Sequence, residues 1–388
     1  MVLTRRRYKA YMVITRWLPN EIISEIIQST PKADQATLCR VSKLFSGLTL
    51  PILNREVHIL DADYSSAAFF SGLIANPARA EAIRCFSVLP ILGARKPIEV
   101  PPTPPNNFCY LLLESMKLMR RLEHLRVLII KGGMHTEFPR LLQLCTFPRL
   151  LTCHVAQSHL YFQGAPEGNF LTRHPTLTYL SVIPGVMPDP PPSTCHLISL
   201  PNVEHYDGSA SLIPRIFAGG LKQARLRWHF HGEAAIEHLI VSLISSTNPD
   251  TLLHLSHQYN SVDQCMPIIR SVSIHMSYVR TLQMCRLGNI GEPAISLNDT
   301  IIREIATYLA RFTGLAYFAI EPVFGRAEPP GGTEVSMQVL GDACPTLEAC
   351  CLNSNAYKKV NGGWESCTAL EFQVQAGLPQ SWRQLLFA

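Results

Sequence analysis

His229, His231 and Glu233, in the run HFHGE, are the side chains whose type and spacing come nearest to chemistry. Two histidines two residues apart on a strand point to one side, so the pair could begin a metal site. A zinc site needs three or four protein ligands, and none follows at a usable spacing. The run therefore reads as the polar end of a strand. GSAS at 208–211 falls short of a nucleophile elbow, because Leu212 stands where G-x-S-x-G needs its last glycine. Fourteen histidines invite an acid–base reading. His124, His205 and His254 share one register in separate copies of a short apolar motif, which would hold the rings apart as scattered surface positions. No glycine-rich phosphate loop follows any strand candidate. The expectation is a non-catalytic chain with no metal and no cofactor.

The elements that must position these residues come from a core-forming composition. Of 388 residues, 47% are hydrophobic and 16% charged. That excludes a disordered chain and suits either two domains or a small module followed by a repeat array. A net charge of +5 is too modest to mark a nucleic-acid binder. No apolar run reaches the 18 residues of a membrane helix. Residues 1–15 read as a basic tail. Arg16 interrupts the apolar stretch after it, and no small-residue cleavage site follows, which speaks against a secretory signal. A mitochondrial presequence and a weak nuclear signal at Arg5, Arg6 and Arg7 stay open. Twelve cysteines without a CxxC pair read as buried free thiols of a reducing compartment, cytoplasmic and/or nuclear.

A pattern of the form Φ-x-x-Φ-x-Φ, with Φ apolar, recurs along the chain. It starts at Ile83, Leu122, Leu150, Leu177, Val203, Leu221, Leu252, Val279, Leu315 and Leu347. Most of the spacings lie near the leucine-rich-repeat period. Helix-like runs precede several copies: PRLLQLCTF, EAAIEHLIVSLISS, TIIREIATYLARF and VSMQVLGDACP. Stacked helix–turn–strand units would give an α/β solenoid with a curved parallel sheet inside and helices outside. A non-repeating α/β domain is the alternative. In the solenoid the Φ positions point into the core and the residues between them face the concave side. That surface would carry Arg126, His154, Tyr179, His205, Arg225, His254, Gln283 and Tyr317, with Arg227 nearby. It suits a protein partner of acidic character, such as a phosphorylated segment gripped by arginine. Proline-rich segments at 96–105, 184–193 and 328–332 read as inserted surface loops, or as polyproline ligands of a partner.

Residues 16–30, RWLPNEIISEIIQST, form a short helical pattern that cannot bury its own apolar face. Pro19 suits a first helical turn and Glu21 suits the helix dipole. Ile22, Ile23, Ile26 and Ile27 make one broad apolar stripe. A second apolar series follows at Leu38, Val41, Leu44, Phe45 and Leu48. LPNEIISEII, then LCRVSKLFSGL, then PILNREVHI resembles an F-box, especially those of fungal F-box proteins. The polar QST after the first helix departs from the family pattern. The resemblance divides the chain into an F-box at 16–58 and an irregular leucine-rich-repeat-like recognition domain at 59–388, a common pairing in that family. It implies docking of a Skp-family adaptor, and through it a cullin, by Leu18, Pro19, Glu21, Ile22, Ile26, Leu38, Val41 and Phe45. The implied role is the substrate receptor of a cullin–RING ubiquitin ligase, with a protein substrate and neither nucleic acid nor membrane as partner. The alternative is a repeat scaffold whose helical segment is only a cap.

Overall fold

In the computed structural model the described residues are 18–59, 64–88, 108–127, 142–156, 170–183, 197–228, 232–287, 297–322 and 333–378. The basic tail, both histidines of HFHGE and the three proline-rich segments lie outside them. The chain is mixed α/β with mostly parallel strands, and it divides into two compact units, 1–155 and 156–388.

The first unit opens with three short helices, α1 (Asn20–Ser29), α2 (Lys32–Leu38) and α3 (Lys43–Leu53). Prolines 19 and 31 occupy the N-cap positions of α1 and α2, one residue ahead of the first turn. Ser42 caps α3, its hydroxyl accepting from the Phe45 backbone N–H at 3.2 Å. Both α1 and α2 pack on α3. Four parallel strands follow in chain order: β1 (Glu56–Ile59), β2 (Cys85–Val88), β3 (His124–Val127) and β4 (Thr152–Ala156). Helices α4 (Tyr64–Ala75) and α5 (Pro77–Glu81) lie between β1 and β2, and α6 (Phe108–Leu118) precedes β3. Phe70 joins these layers, meeting Phe86 and Phe108 edge-on at 6.3 and 5.5 Å.

The second unit carries β5 (Tyr179–Ile183), β6 (Ile198–Ser199), β7 (His205–Ser209), β8 (Ile216–Phe217), β9 (Gln223–Trp228), β10 (His254–Tyr259), β11 (Thr281–Arg286), β12 (Tyr317–Pro322) and β13 (Ala349–Leu352). Strands β6 and β8 pair separately, and the others run parallel in chain order. Helices α7 (Glu233–Ser246), α8 (Cys265–His275), α9 (Asp299–Leu309) and α10 (Thr333–Ala343) fill the successive connections, each packing on the next. Between β7 and β9 the crossover holds no α-helix, only the 3₁₀ turn Ala210–Arg215 and the two-residue β8, which accounts for the short spacing there. An antiparallel hairpin closes the sheet: β14 (Asn355–Val360) and β15 (Gly363–Cys367), followed by α11 (Ala369–Gln375).

Each of the ten apolar motif copies becomes a strand that begins two residues after the motif start. The first apolar residue of every copy is buried, from Ile83 to Leu347. The middle position is buried as well, including Tyr206 and Cys350, so the period-2 alternation was a faithful guide to the core side. In the larger sheet one parallel strand, β1, has no copy of the motif. The corresponding first position is Asn54, a buried polar residue whose amide donates to Leu50 O at 2.8 Å. The terminal hairpin also carries no copy, because antiparallel strands joined by tight turns need no crossover helix.

Candidate functional site

The helical module of the first unit sorts its isoleucines by side. Ile23 and Ile27 are 5% and 1% exposed and pack inward. Ile22 and Ile26 are 41% and 52% exposed. The four do not form the single stripe that the spacing suggested: a 100° step separates neighbours in sequence, and only one edge of α1 meets α3. Ile22 and Ile26, four residues apart, share the outward edge, and Leu18 is exposed just ahead of the helix. Val41 and Leu44 are also exposed, whereas Leu38 and Phe45 are half-buried. Pro19 and Glu21 are exposed at the start of α1. The buried Gln35 holds the far end of that helix, its amide donating to Ile27 O at 3.0 Å and Thr30 O at 2.9 Å. An exposed cluster of large apolar side chains on a braced helix is suited to protein contact.

The face between the motif's apolar positions differs between the units. In the first, His124 and Arg126 are exposed and His154 is half-buried. In the second, the register lines up Tyr179, His205, Gln223, His254, Thr281 and Tyr317 in one row. Tyr179, His205 and His254 are half-buried, and Tyr317 is buried. Burial lowers the pKa of both His205 and His254. The next row, with Asp207, Arg225, Ser256 and Gln283, is buried throughout.

This buried polar layer is hydrogen-bonded across the strands. Arg227 donates to Asp207 Oδ1 at 2.9 Å and to Gln258 Oε1 at 3.1 Å. Arg225 lies 3.9 Å from the other Asp207 oxygen and is only 2% exposed. Burial lowers the Arg225 pKa, and the Asp207 charge opposes that shift. Ser256 donates to Gln283, which donates to Glu321 at 3.2 Å. Burial raises the Glu321 carboxyl, against the hydrogen bonds from Cys351 and Gln283. With Asp207 between them, the two arginines are not presented to solvent as a phosphate grip.

Helix α11 lies on this same face. Phe372 meets Tyr317 edge-on at 6.3 Å and packs with Ala319, Ala349, Cys351 and Ala356. Thr281 Oγ1 donates to Ala376 O at 3.4 Å and Gln223 Nε2 to Gly377 O at 3.5 Å. Of the residues expected to face a partner, Tyr317 is therefore met by the chain's own C-terminal segment. Sequence reasoning missed α11, although Thr368 and Glu371 carry the capping-box spacing and form it, Glu371 N to Thr368 Oγ1 at 3.1 Å.

A scan against protein-family models finds none that matches the chain, and a search of the curated proteins finds no match either.

Among the described residues no three His, Cys, Asp or Glu side chains gather as a metal group. Glu233 of HFHGE opens α7 and pairs with Arg270. It lines an open cleft of about 390 Å³ together with Asp263, Ser261 and Gln264, where Ser261 donates to Asp263. Asp263 is the carboxylate beside that serine, and among the described residues no histidine lines the cleft with them. His205 and His254 are separated by Gln223, which contacts His205 at 3.1 Å. Gly208 of GSAS sits inside β7, and the Tyr206 hydroxyl beside it donates to Ser209 O at 2.9 Å. No helix among the described residues is long and apolar enough to cross a membrane.

Proposed function

We propose that this chain is a substrate-receptor subunit of a cullin–RING ubiquitin ligase. In this reading residues 16–58 are an F-box that docks a Skp-family adaptor, and the strand repeats form an irregular leucine-rich-repeat solenoid that recruits a protein substrate. The chain does no chemistry. It supplies proximity, raising the effective concentration of a target beside a ubiquitin-conjugating enzyme. The observation that carries the reading is the outward edge of α1. Ile22 and Ile26 stay exposed on a helix whose other isoleucines are packed, with Leu18 exposed just ahead of it, at positions that match the family's docking residues. The solenoid is supported by ten motif copies that enter the sheet at the same offset.

The test is co-purification with a Skp-family adaptor. The double variant Ile22→Asp, Ile26→Asp should keep its circular dichroism spectrum, because both side chains already face water, and should lose the adaptor. Ile23→Asp with Ile27→Asp is the contrasting pair and should unfold the module.

The second reading, a scaffold acting outside any ligase, has its own supporting contact. Lys32 Nζ donates to Glu56 O at 3.0 Å, tying α2 to the first strand as an end cap would be tied. Absence of adaptor binding in the folded wild-type chain would favour it.

A further inference from the structure

The fifth position of the apolar motif lies between two core-facing positions, so it faces away from the core. In the second unit Arg225 holds that position in the copy that starts at Leu221, and Asp207 holds it in the copy before. The register sets the two side by side, with a carboxylate oxygen 3.9 Å from the guanidinium. In the first unit Arg126 holds the same position on β3, and its neighbour on β2 is Ser87. The carboxylate that completes Arg225 therefore has no counterpart beside Arg126. Arg126 is exposed, and among the described residues it has neither a hydrogen-bond nor an ion-pair partner. Glu123, just ahead of β3, is held by Arg84 at 3.0 Å. Glu56 lies beside Cys85, in the other row of this face. On β1, beyond Ser87, comes the exposed His58, whose Nδ1 is hydrogen-bonded to the Ser87 hydroxyl. The His58 Nε2 has no partner among the described residues. Ser87 is short and 2% exposed, so it is the floor between two longer side chains. With strands about 4.8 Å apart, the main chains at His58 and Arg126 are roughly 10 Å apart.

We propose that the notch over Ser87, between Arg126 and His58, is a carboxylate site that takes an aspartate or glutamate side chain of a protein substrate. This rests on the reading of the strand face as the surface that recruits a substrate. The Asp207–Arg225 pair is the template for the contact. In the second unit the chain supplies the anion itself, and in the first the partner supplies it. A guanidinium presents parallel N–H donors that match the two oxygens of a carboxylate, and the His58 Nε2 is the second contact on the far side of Ser87. The notch carries one fixed positive charge, that of Arg126. A carboxylate balances it, whereas a phosphoryl group brings nearly twice the negative charge.

The test is titration of the full-length chain with fluorescein-labelled hexaglutamate, amidated at its C-terminus and followed by polarisation. Hexaglutamate should bind, and amidated hexaglutamine should not. Arg126→Gln should weaken hexaglutamate about tenfold, the scale of one hydrogen bond between charged groups. Arg311→Gln removes an exposed arginine stacked on Tyr308 and should leave binding unchanged, which separates the notch from the positive charge of the chain as a whole. Ser87→Asp supplies the missing carboxylate within the chain and should also weaken hexaglutamate about tenfold, because Arg126 is then occupied. Arg126 already faces water, so its variant keeps the test open if Ser87→Asp fails to fold. Equal losses for Arg126→Gln and Arg311→Gln, or no binding of hexaglutamate to the wild type, would overturn the site. Tighter binding of a phosphoserine hexapeptide, with the same dependence on Arg126, would overturn the carboxylate as its occupant. Adaptor docking uses α1 and no residue of the notch, so failure of that test and failure of this one are told apart.

Discussion

Arg227 and Asp207 are joined across the β7–β9 pair by a 2.9 Å hydrogen bond from the Arg227 Nη2 to the Asp207 Oδ1. Arg225 approaches the other oxygen of the same carboxylate. One buried anion thus serves two guanidinium groups. Asp207→Asn keeps the shape and removes their shared counter-charge. The expected loss is about 3 kcal/mol of stability, the low end for breaking a buried pair, read from urea unfolding. A loss below about 0.5 kcal/mol, the scale of an exposed pair, would show that the charges are solvated.

Gln35 is the second point of test. It is a buried side chain bridging the end of α1 to α2 through two backbone carbonyls. Thr30 also donates to Ile27 O, through both its N–H and its hydroxyl, so that carbonyl keeps partners when Gln35 is removed. Gln35→Ala should therefore cost roughly 1–2 kcal/mol and speed amide exchange in α1 ahead of the strands. If the ligase reading holds, adaptor affinity falls with it, because the outward isoleucines lose their fixed position. Unchanged exchange in α1 would remove Gln35 from this role.

His257 supplies the pH dependence. It is fully buried, its Nδ1 accepts from Trp228 Nε1 at 3.0 Å, and burial lowers its pKa to about 3. His174 is held at about 4 by the same cause, against its hydrogen bond to Phe170 O. Below the ordinary imidazole pKa of 6.5 the unfolded chain takes up protons that the folded chain refuses. Stability is therefore complete above that value and falls as pH drops through it, down to about 4 for His174 and about 3 for His257. At pH 5 each imidazole should account for about 2 kcal/mol. Thermal melts at pH 7 and pH 5 should separate for the wild type and draw closer for His257→Gln. Identical pH slopes in the two chains would assign the dependence to other groups.

Much of the sheet was legible because alternation is local. A strand buried on one side must write apolar residues two apart, and Phe86 with Val88 and Leu125 with Val127 mark their strands without reference to any neighbour. The exceptions have local causes too. Asn54 hides β1 behind a polar residue in an apolar position. The β14–β15 hairpin carries its own signal in Asn361–Gly362, both at positive φ as a two-residue turn requires, outside the repeated motif.

The candidate site was legible in its residues and not in its exposure. The sequence alone placed four isoleucines on one short helix and a polar row between the apolar positions of successive strands. Only the tertiary structure decided that Ile23 and Ile27 turn inward while Ile22 and Ile26 face water, because that depends on where α3 lies. Only the tertiary structure put α11 over Tyr317, joining positions 55 residues apart in the chain. Alternation fixes which side a residue faces; what covers that side is set by contacts between distant segments, which no local pattern encodes.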